Sequence, residues 1–206
     1  MSRPLGLALL LGALVALTPS RAEAQVHWDV GAQVGVRQRV PSGREGPAPG
    51  PGPVGQLQAH VALFPMVRLG LYLTHDVSPF PVASARQTTE AGLRVKLTPP
   101  ILSAPWRGWA FVGLGYARAY TPSHPSASGS GDVAGAEGTS VGSALGVGIG
   151  ARVRGPWVVF AELAGRVGLL FAGAIYDRAP CQCLRDPYPG KDLFAASLSV
   201  GLSLEE

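Results

Sequence analysis

The sequence has few charged residues, two cysteines and no long apolar segment after its N-terminus. Charged residues make up 15% of the 206 residues, and the formal net charge of +4 is not gathered in a basic run or a basic helix. This pattern excludes the usual nucleic-acid-binding surfaces. No segment after residue 24 approaches 18 uninterrupted apolar residues, so we expect no transmembrane helix. No G-x-S-x-G or comparable nucleophile motif is present, and no predicted helix follows the glycine patterns at 113–115 and 146–150, as one would in a phosphate loop.

The first 24 residues have the pattern of a secretory signal peptide. Arg3 is followed by the apolar stretch LGLALLLGALVAL at 5–17, which is too short for a spanning helix but suits an h-region. Ala22-Glu23-Ala24 then supplies an A-x-A cleavage site. We therefore divide the chain into a signal peptide at 1–24 and a mature domain at 25–206, whose length fits one all-β domain.

Bulky apolar side chains alternate with glycine or polar side chains along most of the mature domain. The stretch LGVGIGARVR at 145–154 alternates strictly, and a period of two residues is typical of a β-strand with two unlike faces. Stretches of roughly the ten residues that a tilted spanning strand needs occur at about 26–39, 55–64, 67–76, 88–98, 109–120, 145–154, 157–168 and 192–204. In the fifth, Arg118 falls on the apolar side, which a bulge or the strand's emergence from a membrane would explain. These stretches predict an all-β fold, an eight-stranded antiparallel up-and-down transmembrane β-barrel.

The connections between the predicted strands alternate in length. Long connections rich in Gly, Pro and Ser follow the first, third, fifth and seventh strands, at 41–54, 77–86, 121–138 and about 169–191. Short ones follow the second and sixth strands, as Pro65-Met66 and Gly155-Pro156, and the connection after the fourth is intermediate. Short turns at one rim and long loops at the other are typical of outer-membrane barrels, in which the long loops lie outside the cell.

The polar face of these strands fits a narrow lumen better than a soluble exterior. It carries Gly146, Gly148 and Gly150 in succession, and glycine on an exposed strand costs about 0.5 to 1 kcal/mol relative to alanine. Inside an eight-stranded barrel, in contrast, long side chains must be offset by small ones. The charged residues of this face have both signs and are predicted to form a paired network that fills the lumen and prevents conduction: Asp29, Arg37, Arg68, Asp76, Glu90, Arg94, Lys96, Arg152, Arg154, Glu162 and Arg166.

The hairpin around Gly155 predicts which lumen residues lie opposite each other. If Gly155–Trp157 form a three-residue loop, Gly150 pairs with Glu162 and Gly146 pairs with Arg166. Each long charged side chain would then face a glycine across the strand pair. We expect Glu162 to be paired with Arg152, Arg94 or Lys96.

All four tryptophans are predicted to lie at the rim that carries the short turns. Trp28 and Trp109 begin predicted strands, and Trp106 and Trp157 lie in or beside short connections. Transmembrane barrels carry girdles of aromatic residues at both membrane interfaces. We therefore expect these four tryptophans to be membrane-interface aromatics.

Cys181 and Cys183 lie in the last long connection. An exported protein favours oxidised cysteines, but a disulfide across one residue is strained and closes almost no loop. A metal site built on two thiolates lacks its other ligands nearby. A disulfide of some kind, a metal site and free or intermolecular thiols are the alternatives at these positions.

Two other interpretations of the whole barrel stay open. A soluble exported barrel, similar to lipocalins, would bind a small apolar ligand and would need an apolar lumen and a wettable exterior. A barrel enzyme acting on lipid would depend on His60 or His75, although a histidine in a lumen or at a rim is more often a hydrogen-bonded structural residue. We expect no catalytic residue, no cofactor and no metal site.

The signal peptide, the eight alternating strands, GLGYA at 113–117 and SLSVGLSL at 197–204 resemble those of small bacterial outer-membrane β-barrel proteins of the OmpA-like or OmpX-like kind. The resemblance covers about 25–206 and rests on pattern. It implies a location in the bacterial outer membrane, surrounded by lipid and reached by a cleaved signal peptide. It also implies a structural or surface-interaction role, with an extracellular or envelope partner bound through the long loops and no nucleic-acid partner.

Overall fold

The structure of the protein is a computed structural model and describes residues 27–40, 50–79, 85–100, 102–125, 132–133, 135–173 and 194–206. The predicted signal peptide and both cysteines lie outside these residues. Eight long strands are present: β1 (Trp28–Val40), β2 (Gly52–Phe64), β3 (Val67–Pro79), β4 (Ala85–Leu97), β5 (Trp106–Thr121), β6 (Ala136–Arg154), β7 (Trp157–Gly173) and β8 (Phe194–Glu205). Between β5 and β6, His124–Pro125 pairs with Asp132–Val133. Among the described residues no helix is long and apolar enough to cross a membrane.

The eight long strands close into one barrel. Each strand pairs antiparallel with the strands that precede and follow it in the chain, and β8 pairs with β1 to complete the ring. A closed ring satisfies the backbone hydrogen-bonding groups of every strand from both sides, which a barrel in an apolar environment requires. The predicted fold class, an eight-stranded antiparallel up-and-down barrel, is confirmed.

Several strands are longer than the sequence pattern predicts. β6 begins at Ala136 rather than at 145, and β7 continues to Gly173. The added part of β6 is rich in Gly and Ser and has the composition of a loop. Composition fails here because these residues pair with β5 and β7 on both sides, and pairing overrides intrinsic strand preference. The connection between β3 and β4 is correspondingly short, at residues 80–84.

The turn between β6 and β7 differs from the predicted three-residue loop. Arg154 pairs with Trp157, so the turn is the two-residue Gly155-Pro156, with a positive φ of 55° at Gly155 that glycine adopts without strain. A register shift between Arg152 and Arg154 accompanies the tighter turn. The predicted pairings of Glu162 and Arg166 are therefore wrong, because the actual partners are Gly148 and Ala144, respectively.

The two faces of the barrel wall have opposite polarity. On the outside, large apolar residues are exposed, as Leu71 is by 63% and Leu145 by 60%. On the inside, charged side chains are almost inaccessible, as at Asp29 with 0% and Glu90 with 2%. This is the reverse of a soluble protein and matches the arrangement of a transmembrane barrel.

The outward face of β5 changes from apolar to polar along the strand. Its exposed residues are apolar or aromatic from Trp106 to Tyr116, and the next outward residue is Arg118. The pairing of β5 continues without a shift through Arg118, so the bulge considered for this position is wrong. Arg118 shares a cross-strand row with His75, Thr89 and Thr139, all on the outside of the wall.

Candidate functional site

A buried charge cluster fills the lumen near the rim with the short turns. The carboxylate of Asp29, on β1, contacts three partners from β2, β3 and β4. Its Oδ1 lies 2.7 Å from Nδ1 of His60, and its Oδ2 accepts a hydrogen bond of 2.5 Å from Arg68. The ammonium nitrogen of Lys96 lies 3.7 Å from the same Oδ2. The fully buried carboxylate of Asp29 is therefore shared by cationic groups on two neighbouring strands, Arg68 on β3 and Lys96 on β4.

Glu205 adds a second carboxylate to this cluster from β8. Its side chain is buried, lies 3.7 Å from Arg68 and forms a hydrogen-bonded ion pair with Arg107. Glu205 lies two residues after Ser203, which faces the lumen, so the two-residue period of the strand places Glu205 on the inward face as well. Its inclusion in the lumen was missed because the predicted strand ended at residue 204.

Glu162, on β7, accepts hydrogen bonds from three side chains. Nη2 of Arg94 donates at 2.5 Å and Nε1 of Trp109 donates at 3.2 Å to Oε2, while Nε2 of Gln33 donates to Oε1 at 3.2 Å. Arg94 and Glu162 are each 2% exposed. This ion pair joins β4 to β7 across the lumen.

An aromatic cluster packs beside this ion pair. The rings of Trp109 and Phe160 meet edge to face, with centroids 5.7 Å apart. The guanidinium carbon of Arg94 lies 3.3 Å above the centre of the Phe111 ring, and the ammonium of Lys96 lies 4.4 Å above the Trp109 ring. Cation–π contacts of this kind stabilise desolvated cations. The lumen is thus filled by rings as well as by charges.

The glycines of β6 make room for these rings. A Cβ atom at Gly148 would lie 2.3 Å from a ring carbon of Trp109, and one at Gly146 would lie 2.5 Å from a ring carbon of Phe111. On β8, a Cβ at Gly201 would lie 2.6 Å from the ring of Phe160. The glycines that the sequence pattern places in the lumen therefore make room for aromatic rings. Of these rings, that of Trp109 was predicted to lie at the membrane interface, and those of Phe111 and Phe160 were not predicted to lie in the lumen.

Toward the rim with the long loops, Glu90 bridges β3 and β7. Its Oε1 accepts a hydrogen bond of 2.7 Å from the hydroxyl of Tyr72, and its Oε2 accepts one of 2.6 Å from Nε of Arg166. Nη2 of Arg166 also donates to Ser140 at 3.1 Å. Both oxygens of this carboxylate are therefore engaged by side chains.

Asp76 lies nearer the rim with the long loops, one inward position before Ser78 on β3. It accepts hydrogen bonds from Nη1 of Arg37 at 2.8 Å and from Nη2 of Arg39 at 2.6 Å. Arg39 also donates to Ser78 and to Thr88, each at 2.9 Å. The result is a second buried network, in which two guanidinium groups share one carboxylate.

Between Glu162 and Asp76 the lumen contains a cavity, here called the lumen chamber. Its polar wall comes from β1 to β4 and includes Arg37, Tyr72, Glu90 and Arg94. The opposite wall comes from β5 to β8 and consists largely of small residues, among them Ala164 and Ser197, with Arg166 at its edge. The chamber has a cavity volume of about 30 Å³ and is partly open to solvent.

Most of the predicted charge network lies in the lumen, but two of its members do not. Asp29, Arg37, Asp76, Glu90, Arg94, Lys96, Glu162 and Arg166 are buried, and Arg68 is partly buried in contact with Asp29. Arg152 and Arg154 are exposed, so their assignment to the lumen is wrong. They have the inward parity but lie at the tight turn of β6, at the mouth of the barrel. The alternation along a strand determines whether a side chain faces inward or outward, but not how far along the barrel axis the residue lies. The lumen also holds Arg39, Arg86 and Glu205, which are buried and were not predicted there.

Three of the four tryptophans face outward at the rim with the short turns. Trp106 and Trp157 are about half exposed, and Trp28 is less so. The expectation for Trp109 is wrong, since this residue is 6% exposed and packs in the lumen. Trp109 lies three positions after Trp106 on the same strand, and an odd spacing places two residues on opposite faces.

The two histidines considered for catalysis lie on opposite sides of the barrel wall. His60 is buried in the lumen beside Asp29, whereas His75 is exposed and lies 2.9 Å from the hydroxyl of Thr89. Within the described residues, no group of three or more His, Cys, Asp or Glu is placed to hold a metal ion. Cys181 and Cys183 lie outside the described residues.

The lipocalin-like alternative does not fit this structure. It requires an apolar lumen and a wettable exterior, whereas the lumen holds buried charges and the exterior is lined with exposed Leu, Val and aromatic side chains. A soluble barrel with this exterior would expose an apolar surface far larger than the patches that soluble monomers tolerate.

Comparisons with known proteins identify the fold. No protein-family model matches the chain, and no curated protein matches it. Among solved structures, it is similar to Neisserial surface protein A (NspA), with 14% identity, a TM-score of 0.60, and coverage of 86% of this chain and 96% of that one. It is also similar to the N-terminal β-barrel domain of Pseudomonas aeruginosa OprF, with 11% identity, a TM-score of 0.51 and coverage of 88% and 100%.

A third similar structure is Ail, the attachment invasion locus protein of Yersinia pestis. It shares 8% identity with this chain at a TM-score of 0.53, and the match covers 88% of this chain and 99% of that one. At these identities the likeness is one of fold. The chain has the fold of the small eight-stranded outer-membrane β-barrel proteins.

Proposed function

We propose that the protein is a bacterial outer-membrane β-barrel with a structural or surface-interaction role, exercised through the end that carries the long loops, and that it neither conducts ions nor catalyses a reaction. The observation that carries the proposal is the inverted polarity of the barrel, an apolar exterior around a lumen packed with paired charges. An apolar exterior fits lipid, and a filled lumen leaves the rims for contact with partners.

The proposed location is supported by the signal-peptide pattern and by the three outward tryptophans at one rim. It is tested by fractionating cells that express the full chain. We expect mature protein beginning at Gln25 to stay with the outer membrane through a high-salt wash and to be released by detergent. Before boiling, it should migrate faster on a gel than after boiling. Recovery in the salt wash would contradict the location.

The proposed orientation places the long connections outside the cell. Protease added to intact cells is expected to cut at Arg44, Arg178 or Arg185, which the sequence places in long connections, and not at Arg107, which lies near the opposite rim. Because Arg107 lies within β5 and is ion-paired with Glu205, the control is a variant with a protease site inserted at the Gly155-Pro156 turn, which should be cut only after the cells are permeabilised. Cleavage at Arg107 in unbroken cells would invert the orientation.

A non-conducting lumen is supported by the Arg94–Glu162 pair and the rings beside it. The test is a current recording from the purified protein in a planar bilayer, with an open porin as the positive control. We expect no steady current attributable to the barrel. A reproducible single-channel conductance would overturn this part of the proposal and indicate a small-pore function.

The absence of catalysis is supported by the separation of the two histidines across the barrel wall. An enzyme that modifies membrane lipid would alter the lipid composition of cells that express it. We expect mass spectrometry to find the same lipid profile with and without the protein. A changed profile that reverts in a His60→Ala or His75→Ala variant would contradict the proposal.

A surface-interaction role is supported by the polar outward residues near the long-loop end. Arg118 and Glu137 form an exposed ion pair of 2.7 Å there, on the face where lower positions are apolar. Two of the similar structures belong to proteins described as a surface protein and as an attachment protein.

The role is tested by displaying the chain on a non-adherent bacterium and measuring adhesion to cultured host cells and immobilised matrix proteins. In a matched variant, residues 174–193 are replaced by a Gly/Ser linker of about ten residues, because Phe194 pairs with Val167 and the linker must span roughly 20 Å from Gly173 back to Phe194. We expect the parent to raise adhesion over cells without the protein, and the variant to lose the gain while it keeps the mobility shift of a folded barrel. Equal adhesion with and without the parent would refute the adhesive role.

A further inference from the structure

The lumen chamber has cations on its wall in excess of anions. Its lining includes three guanidinium groups, those of Arg37, Arg94 and Arg166, but a single carboxylate, that of Glu90. Both oxygens of Glu90 already accept hydrogen bonds, from Tyr72 and from Arg166. The positive groups that face the chamber are therefore not balanced by carboxylates on the same wall.

The carboxylates that pair with the other two arginines do not line the chamber. Arg37 is paired with Asp76, which Arg39 shares, and Arg94 is paired with Glu162. Each of these arginines also has N–H groups to spare. Arg37 makes a single hydrogen bond to the described residues, and Nε of Arg94 is buried without a partner among them, whereas a guanidinium has five N–H donors.

The opposite wall leaves room in front of these groups. Ala144, Ala164, Ala195 and Ser197 line it with side chains too short to reach across the lumen. Tyr72 and Phe111 also line the chamber and leave between them and the small residues a space of about 30 Å³. The lumen chamber therefore lies beside arginines that have N–H groups without a hydrogen-bond partner among the described residues.

We propose that the lumen chamber binds a small inorganic anion, such as chloride, between the guanidinium groups of Arg37, Arg94 and Arg166. Charge-assisted hydrogen bonds from guanidinium groups are among the stronger ones in proteins. A bound anion offsets the cost of holding three cationic groups close together away from bulk water. The inference goes beyond the proposed function, because it assigns a ligand to a lumen that does not conduct.

The direct test is to crystallise the detergent-solubilised protein in sodium bromide and to calculate an anomalous difference map. We expect a bromide peak in the chamber, within hydrogen-bonding distance of at least two of the three guanidinium groups. A chamber that holds only water would overturn the proposal. Bromide peaks confined to the outer surface, the pattern of an adventitious ion only, would overturn it as well.

A pair of variants tests the site in solution. Ser197→Leu fills the chamber without removing a charge, and Ala196→Leu adds a larger side chain to the outward face of the same strand. We expect the excess broadening of the ³⁵Cl resonance caused by the parent protein to persist in Ala196→Leu and to vanish in Ser197→Leu. Equal broadening in all three proteins would refute the site. If Ser197→Leu does not fold, the bromide map of the parent decides.

Discussion

Replacing Glu162 by alanine tests how strongly the lumen depends on paired charge. The change removes the carboxylate that pairs with Arg94, a residue that is 2% exposed, and leaves Gln58 as its remaining side-chain acceptor. It also leaves the side-chain donors of Trp109 and Gln33 without this acceptor. Removing one partner of a buried ion pair costs about 3 to 5 kcal/mol, because the other charge stays buried without compensation. We expect a loss of that size in the free energy of unfolding.

The assay is urea unfolding in phospholipid vesicles, followed by tryptophan fluorescence and by gel mobility before boiling. Glu162→Gln keeps the volume and one acceptor oxygen, so it should lose about 1 to 3 kcal/mol. The double variant Arg94→Leu/Glu162→Leu removes both charges and should recover part of the loss, as replaced buried pairs do. Glu137→Ala, which breaks an exposed pair, is the control and should not shift the unfolding midpoint.

The reasoning would be refuted if Glu162→Ala were as stable as the parent, or no less stable than Glu137→Ala. Either result would mean that water enters the lumen and solvates Arg94. The filled lumen, and with it the non-conducting barrel, would then have to be abandoned.

Three further predictions concern other parts of the lumen. Gly148→Ala should lower the free energy of unfolding by about 1 to 3 kcal/mol through overpacking against Trp109, whereas Gly55→Ala, whose Cβ meets nothing within 4 Å, should not lower the midpoint in the same urea titration. In single-tryptophan variants, lipids brominated near the headgroup should quench Trp106 and leave Trp109 largely unquenched, and equal quenching would contradict the inward position of Trp109. Asp29→Ala should lower the free energy of unfolding by about 3 to 5 kcal/mol because Arg68 and Lys96 lose a buried counter-charge, and an unchanged mobility shift on heating in graded urea would contradict this.

The alternation of residues predicted the fold and the face of most lumen residues. A period of two places Asp29, Glu90 and Arg94 on one side of the wall wherever the strand is regular, so their burial required no knowledge of the neighbouring strands. The same rule, applied to the spacing between Trp106 and Trp109, separates the two tryptophans. The error for Trp109 came from giving more weight to residue type than to parity.

The contact partners of the lumen residues, and the positions of these residues along the barrel axis, could not be predicted from the alternation. Which residues meet across the barrel depends on the register of each hairpin, and the two-residue turn at Gly155 changed the partner of Glu162. Arg86 was missed because β4 begins at Ala85, inside a segment that was predicted to be a connection. Arg39 lies at the end of the predicted first strand with the inward parity of Arg37, so the alternation could have placed it in the lumen. The lumen chamber depends on side chains from all eight strands, and therefore appears only in three dimensions.

The apolar outward face of β5 defines a bilayer thickness that suits this protein. Ten residue steps separate Trp106 from Tyr116, which at about 3.4 Å per residue and a tilt of roughly 40° corresponds to about 26 Å along the membrane normal. Bilayers average about 30 Å of hydrocarbon, and the bacterial outer membrane is thinner than average. In a thicker bilayer, lipid chains next to β5 would have to compress to cover Tyr116 without engulfing Arg118. Hydrophobic mismatch thus makes the barrel less stable in membranes thicker than the one its sequence matches.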